Sequence, residues 1–481
     1  MAKANGIIGS LLWKSGERIM VQGIGLLVQI ILARLLMPED FASLAIITAI
    51  VNYLGIFVQC GLSAAVVQKK DLSEIDVSTL TTLSLLVALI LYVGLFLMAP
   101  VINSWYNMEE LVWPVRVMGI ALFLYSFNSI QSGLLQRKMM FQTMFVRSLL
   151  ATPISAVIGI TMAYLGCGVW ALICYVLSNI LAIVIFMNML PEIRLRLGFS
   201  KQSAKALYSF SLKILGTNLV SAGGDTIRTM TIGKVYKPAT LAYYDRAYTY
   251  SGLVTQVVNT SISSVLLPVF SRSQDDKSHI KEMARRSVSM SAFVMIPVLL
   301  LVALVSKPLI LIVLTDKWLP CAPFLSLFCL LRIPGIITSV DKQVYLSLWK
   351  SQIGLYYEMI LLAINLLSLV LMIPYGVFAI AIGYVVVEFA GNFMLCVISD
   401  KVYNYSLIER TKDLIKPVFS SIIMLACGYL LSLIELPLWM TLICQVLVCS
   451  VIYLFMQYIL RDSSLASVSY THLTLPTKLE V

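Results

Sequence analysis

The sequence predicts an all-α polytopic membrane protein of about fourteen transmembrane helices, with two pseudo-symmetric six-helix lobes and two C-terminal helices. Three observations predict it. The 481 residues are 59% hydrophobic and only 12% charged, whereas a soluble domain carries about 25% charged residues. Apolar runs recur from end to end, and many reach the ~20 residues needed to span a bilayer. Basic residues collect in alternate loops, the bias that orients membrane helices.

The candidate spans are 9–36, 41–66, 78–100, 112–135, 144–165, 168–190, 207–232, 241–270, 287–313, 322–347, 352–373, 376–398, 415–433 and 437–460. With the N-terminus in the cytoplasm, the inner loops hold Lys69 and Lys70, then Arg137, Lys138 and Arg147, then Arg194, Arg196, Lys201 and Lys205. Further on they hold Arg272, Lys277, Lys281, Arg285 and Arg286, then Lys350, then Lys401, Arg410, Lys412 and Lys416. The outer loops hold only Arg34, Lys234, Lys237 and Lys317. A single missed span would invert everything downstream of it, so this asymmetry supports the even count and places both termini in the cytoplasm. It also accounts for the net charge of +11 without a nucleic-acid partner. The nine cysteines contain no CxxC pair, and most lie in apolar runs, where Cys acts as a small hydrophobe. No metal site, disulfide framework or cofactor is expected. The first apolar stretch is too long for a cleaved signal peptide and is expected to remain as the first span.

An internal repeat organises the chain. ARLLMPEDFA at 33–42 aligns with GKVYKPATLA at 233–242, and GVWA at 168–171 with GVFA at 376–379. LLQRK at 134–138 resembles SLWKS at 347–351. The common order predicts one lobe over 1–206, a second over 207–400, and two extra helices over 401–461. Repeats of this kind provide two bundles able to rock about a central site. Residues 462–481 change to a polar, mixed composition and read as a foreign appendage.

The first helix of each lobe carries a polar stripe. In the first span Lys14, Arg18, Gln22, Gly25 and Gln29 share one face, with Glu17 beside it. In the seventh, Lys213, Thr217, Ser221, Asp225 and Arg228 do the same. Milder stripes run through Thr48, Asn52, Gly55 and Gln59 in the second span, and through Asp245, Thr249, Gly252, Gln256, Asn259 and Ser263 in the eighth. A charge at a helix centre costs about 2.5–3.5 kcal/mol on insertion, so such faces belong in a bundle interior or a wet cavity. Lys14, Arg18, Lys213 and Arg228 against Glu17 and Asp225 leave that cavity net basic, which suits an anionic group such as a diphosphate. Gln22, Gln29, Asn52, Gln256 and Asn259 suit sugar hydroxyls. Asp225 and Glu388 are candidates for ion coupling. Arg332, Asp341 and Lys342 in the tenth span read as structural, and Arg116 and Glu358 as snorkelling near span ends.

The opening SLLWKSGERIMVQGIGLLVQIILARLLMPEDFA, with LLQRKMMF, GVWAL and AYYDRAY at 242–248, resembles the Wzx-type polysaccharide and O-antigen (lipopolysaccharide) flippases. These belong to the multidrug/oligosaccharidyl-lipid/polysaccharide exporter superfamily, and the likeness is to the branch containing colanic-acid-type exporters. It covers roughly residues 5–460. The resemblance implies a bacterial inner-membrane exporter that moves undecaprenyl-diphosphate-linked oligosaccharide to the periplasmic leaflet. It implies lipid-linked oligosaccharide and membrane lipid as partners, together with polysaccharide polymerase and chain-length machinery. It also implies charged cavity residues, which map best onto Arg18, Asp225 and Arg228.

Three alternatives remain open. A multidrug cation antiporter of the same superfamily favours an acidic cavity. A lipid II flippase shares the fold and the cationic logic. A membrane polysaccharide polymerase or glycosyltransferase needs a large outer loop or a catalytic carboxylate loop. The outer loops are short, and Asp275 and Asp276 sit in an inner loop beside Lys277. No nucleotide-binding glycine loop occurs, so the chain is expected to be a transporter and not an enzyme.

Overall fold

The structure is a computed structural model that describes residues 20–60, 62–69, 71–108, 111–190, 193–272, 276–348, 350–434 and 436–460. The expected polar tail lies outside these residues. The described residues are mostly α-helical, with short 3₁₀ turns and no strand among them. Among the described residues, eleven helices are long and apolar enough to cross a membrane. The described part of each expected segment is largely helical, and 41–66, 112–135 and 287–313 each contain two successive helices.

By packing, the chain divides into two compact units, Met1–Asp245 and Arg246–Val481. In the first, α1 (Met20–Leu35) precedes α2 (Pro38–Gln59), α3 (Leu62–Gln68), α4 (Glu74–Tyr106), α5 (Val112–Met118), α6 (Ala121–Arg137), α7 (Phe141–Tyr164), α8 (Val169–Asn188) and α9 (Lys201–Val235). The pair α7 and α8 forms a tight hairpin, α3 and α4 lie on α6, and α9 packs on α2, α3 and α4. Helix α10 (Pro238–Arg272) runs across the division. The second unit continues with α11 (Lys277–Leu304), α12 (Ser306–Val313), α13 (Cys321–Ser347), α14 (Ser351–Met372), α15 (Val377–Tyr403), α16 (Leu407–Ser432) and α17 (Leu438–Ile459). There α11 packs on α13 and α16, α15 on α13 and α14, and α16 on α17.

The helices are built for lipid. On α4, Leu86, Leu89, Ile90, Val93 and Leu97 are exposed at helical spacing, an apolar face with no protein to cover it. The polar groups of the same helix turn inward: Asp76, Thr79, Thr81 and Ser84 are buried. Their hydroxyls are satisfied locally or across a contact. Thr79 Oγ1 donates to the Ile75 carbonyl at 2.6 Å, and Ser84 Oγ to the Val58 carbonyl at 3.1 Å. This is the economy a chain needs where no water is available. Helix starts at loops expected on the inner side carry side-chain caps: Ser73, Ser200, Asp276 and Ser406 each accept from a backbone amide of the first turn.

The repeat is visible in local structure. Helix α1 ends at Leu35 and α2 begins at Pro38; α9 ends at Val235 and α10 begins at Pro238. In both places two residues break the helix, and a proline, needing no amide partner, opens the next. Gly168 and Gly376, the matched glycines of GVWA and GVFA, are the N-cap residues of α8 and α15. Their φ values are +53° and +98°, backbone that side chains rarely adopt.

Candidate functional site

Lys14, Glu17 and Arg18 lie outside the described residues, as do the side chains of Lys213 and Asn259. The other expected positions fall in one unit or the other.

In the first unit α9 presents Thr217, Ser221 and Asp225 at four-residue steps on one face. Thr217 and Ser221 are exposed. The Asp225 side chain is 46% exposed, whereas that of Arg228 is only 6% exposed. Arg228 Nη1 donates to Asp225 Oδ1 at 2.8 Å. The sequence puts both charges on the stripe; packing turns the guanidinium inward and leaves the carboxylate at the surface. A charge-assisted bond one helical turn back offsets part of the cost of holding arginine at that depth. Gln22 and Gln29 on α1 are half-buried, and Gln29 Oε1 has no hydrogen-bond partner among the described residues.

Asn52 and Gln59 on α2 are exposed. Tyr125 of α6 donates to Asn52 Oδ1 at 2.8 Å. Tyr125, Asn128 and Ser132 share a face of α6, a stripe the sequence reading missed although its spacing is there to see. At its far end is Arg147. Sequence reasoning counted this residue among the loop charges, but it lies in the second turn of α7 and is buried. Its Nη1 donates to Ser132 Oγ at 3.3 Å and reaches Asn128 Oδ1 at 3.5 Å. Arg116 does more than snorkel: it donates to the Phe96 carbonyl at 3.3 Å and stacks 4.0 Å from the Phe96 ring centroid.

In the second unit Gln256 on α10 is exposed and Glu388 on α15 is half-buried. Arg332 of α13 crosses to α10. It donates to the Tyr248 carbonyl at 2.9 Å and to Ser251 Oγ at 3.3 Å, and stacks on the Tyr248 ring at 4.3 Å. Gly252 makes room for it, since a Cβ there would come within 3.1 Å of Nη2. Tyr248 in turn stacks on Tyr384 and meets Phe328 edge-on. Lys342 is hydrogen-bonded to Glu358 of α14.

Asp341 is paired as well, and completely enclosed. Arg410 Nη1 and Nη2 donate to its two carboxylate oxygens at 3.0 and 2.9 Å. Tyr403 donates to Asp341 Oδ1 and accepts from Arg410 Nη2. Arg410, counted from sequence as a loop charge, lies in the first turn of α16. These contacts tie α13, α15 and α16 together and leave Asp341 no open face. The exposed Asn52 and Gln59 of α2, Thr217, Ser221 and Asp225 of α9, and Gln256 of α10 are the members of this inventory open to a polar solute.

The family described as polysaccharide biosynthesis protein matches residues 31–323. The teichuronic acid biosynthesis protein TuaB of Bacillus subtilis (strain 168) is 25% identical over 349 residues, 71% of each chain. The lipopolysaccharide biosynthesis protein WzxC of Escherichia coli (strain K12) is 22% identical over 420 residues, 85% of this chain and 81% of that one. Among solved structures, lipid II flippase MurJ in an inward closed conformation aligns with a TM-score of 0.77 over 96% of this chain and 99% of that one. Its identity of 17% makes this a likeness of fold. The chain is a multi-pass membrane protein with the fold of the exporter superfamily, and it belongs to the polysaccharide biosynthesis protein family that its Wzx-like motifs anticipate.

Proposed function

We propose that this chain is a flippase that carries undecaprenyl-diphosphate-linked oligosaccharide from the cytoplasmic to the outer leaflet of the bacterial inner membrane. It works by alternating access of the two lobes inferred from the repeat, and it passes its cargo to polymerase and chain-length machinery. The observation that carries the reading is the outward-facing Thr217, Ser221 and Asp225 stripe on α9 of a chain in this family. Sugar hydroxyls lose their hydrogen bonds in hydrocarbon, at a cost of roughly 2–7 kcal/mol each when unpaired. A translocating protein must therefore offer replacement partners along the path. The stripe supplies them, while the prenyl tail stays in lipid. In this reading Arg228 positions Asp225 by the bond between them, and Asp225 and Glu388 are the proposed ion-coupling groups.

The test is leaflet accessibility of a lipid-linked oligosaccharide in vesicles with and without the purified protein. Wild type exposes the glycan to an external glycan-modifying reagent. Reversal of Arg18 and Arg228 to Glu abolishes this, and Asp225→Asn lowers it. Wild-type flux in the double reversal refutes the assignment of the stripe. Flux of lipid II in preference to the oligosaccharide replaces the proposed cargo.

A further inference from the structure

Two interior prolines fall at matching places in the repeat. FLMAP at 96–100 and FVMIP at 293–297 share phenylalanine, methionine and proline in one register. They stand in α4 and α11, the third expected span of each repeat, and in both helices the proline is interior and towards the C-terminal end. An interior proline brings no amide, so the carbonyl four residues earlier loses its helical donor. Those carbonyls belong to Phe96 and Phe293, the first residues of the two motifs. Away from water an unmatched carbonyl is costly, and the helix needs a donor from elsewhere.

Both carbonyls are met by a side chain from a different helix. Arg116 of α5 donates its Nε–H to the Phe96 carbonyl at 3.3 Å, with its guanidinium 4.0 Å from the Phe96 ring centroid and 5.2 Å from that of Trp113. Tyr453 of α17 donates its hydroxyl to the Phe293 carbonyl at 2.6 Å, and the two rings lie 5.7 Å apart. Gln457, one turn further along α17, donates to the Tyr453 oxygen at 3.0 Å. Phe293, Tyr453 and Gln457 are buried, so bulk water has no access to replace the hydroxyl. The donors differ in chemistry and come from elements that the repeat does not relate, yet they serve the equivalent atom. Other interior prolines are not treated this way. Among the described residues no side chain is hydrogen-bonded to the carbonyls of Leu149, Leu330 or Asp413, which Pro153, Pro334 and Pro417 leave behind.

We propose that α4 and α11 are hinged at these motifs, and that Arg116 and Tyr453 are positioning residues that hold each hinge in one conformation. A helix bends at proline because the turn before it is short of a hydrogen bond, and a brace from a neighbouring helix limits that freedom. The helices α16 and α17 lie outside the repeat, and α17 thereby gains a role: it carries the brace for α11. That the hinges move during transport rests on the flippase reading; the hinges and their braces do not.

The experiment is a double-mutant cycle on the purified full-length protein, read by thermal unfolding and by hydrogen–deuterium exchange over 293–301. Tyr453→Phe keeps the ring and removes the donor. It lowers apparent Tm by about 2–12 °C and speeds exchange over 293–301 more than in the rest of α11. Pro297→Ala returns an amide to the Phe293 carbonyl and slows exchange over the same residues. On that background Tyr453→Phe costs clearly less. Equal cost on both backgrounds overturns the brace, and unchanged exchange in Pro297→Ala overturns the hinge. If Pro297→Ala fails to fold, Pro100→Ala and Arg116→Met run the same cycle on α4, with exchange read over 96–104, and must show the same coupling. In the vesicle assay above, Pro297→Ala lowers glycan flux severalfold without loss of Tm. A wild-type protein that moves no oligosaccharide but shows the coupling and the slowed exchange counts against the transport reading and leaves the braced hinges standing.

Discussion

The enclosed Asp341, Arg410 and Tyr403 cluster allows a stringent test of how the second unit is held together. Asp341 is 0% and Arg410 1% exposed. Arg410→Ala removes both guanidinium bonds to the carboxylate and the one to the Tyr403 hydroxyl. The carboxylate is left buried, with Tyr403 as its remaining donor among the bonds described above. Losing one partner of a buried pair costs about 3–5 kcal/mol, on the order of 6–20 °C in apparent Tm for a unit of this size. Asp341→Asn strands the guanidinium in the same way. Replacing both, as Asp341→Leu/Arg410→Met, removes both charges, and such exchanges are often neutral or stabilising. The assay is a double-mutant cycle on thermal unfolding of the solubilised protein. The neighbouring Arg285 and Asp413 pair is the internal control: it is bidentate at 2.8 and 2.7 Å but partly solvated, so Arg285→Ala costs less. Single variants within about 1 kcal/mol of wild type, or a double variant as damaged as the sum of the singles, refute the reasoning.

Three further outcomes follow from the same structure. Gly168→Ala and Gly376→Ala each carry about 1–3 kcal/mol of backbone strain, and Gly168→Ala is the worse because its Cβ would meet Asp40 Oδ1 at 2.9 Å whereas nothing lies within 4 Å at Gly376; the reverse order of melting temperatures contradicts this. Arg147→Leu takes the guanidinium donor from Ser132 Oγ and leaves Asn128 Oδ1 with the Ser132 hydroxyl at 3.3 Å, and it lowers stability by about 1–3 kcal/mol, measured by thermal unfolding of the purified protein; a variant as stable as wild type would place Arg147 outside that network. Lys342→Gln and Glu358→Gln each reduce the yield of monodisperse protein, and the double variant recovers part of the loss, because the two charges answer each other across α13 and α14; additive losses would mean that the pair is not coupled.

The amino-acid sequence by itself determined the class, an all-helical chain that crosses the membrane many times, and it pointed to the helix breaks. Hydropathy reports directly which stretches are apolar enough to span a bilayer, and prolines and glycines mark breaks that no other residue forms as readily. Thus Pro38 and Pro238, and Gly168 and Gly376, occupy matching places at helix starts. Only the tertiary structure decided which charges meet. Asp341 and Arg410 are distant in sequence, and nothing local announces their pairing; Arg147 and Arg410 read as loop cations until packing buried them. Asp225 and Arg228 look equivalent as letters three apart, yet one faces out and the other in. The physical reason is that helical spacing fixes a side chain's direction to within a face, while its solvent exposure depends on the neighbouring helix that covers that face.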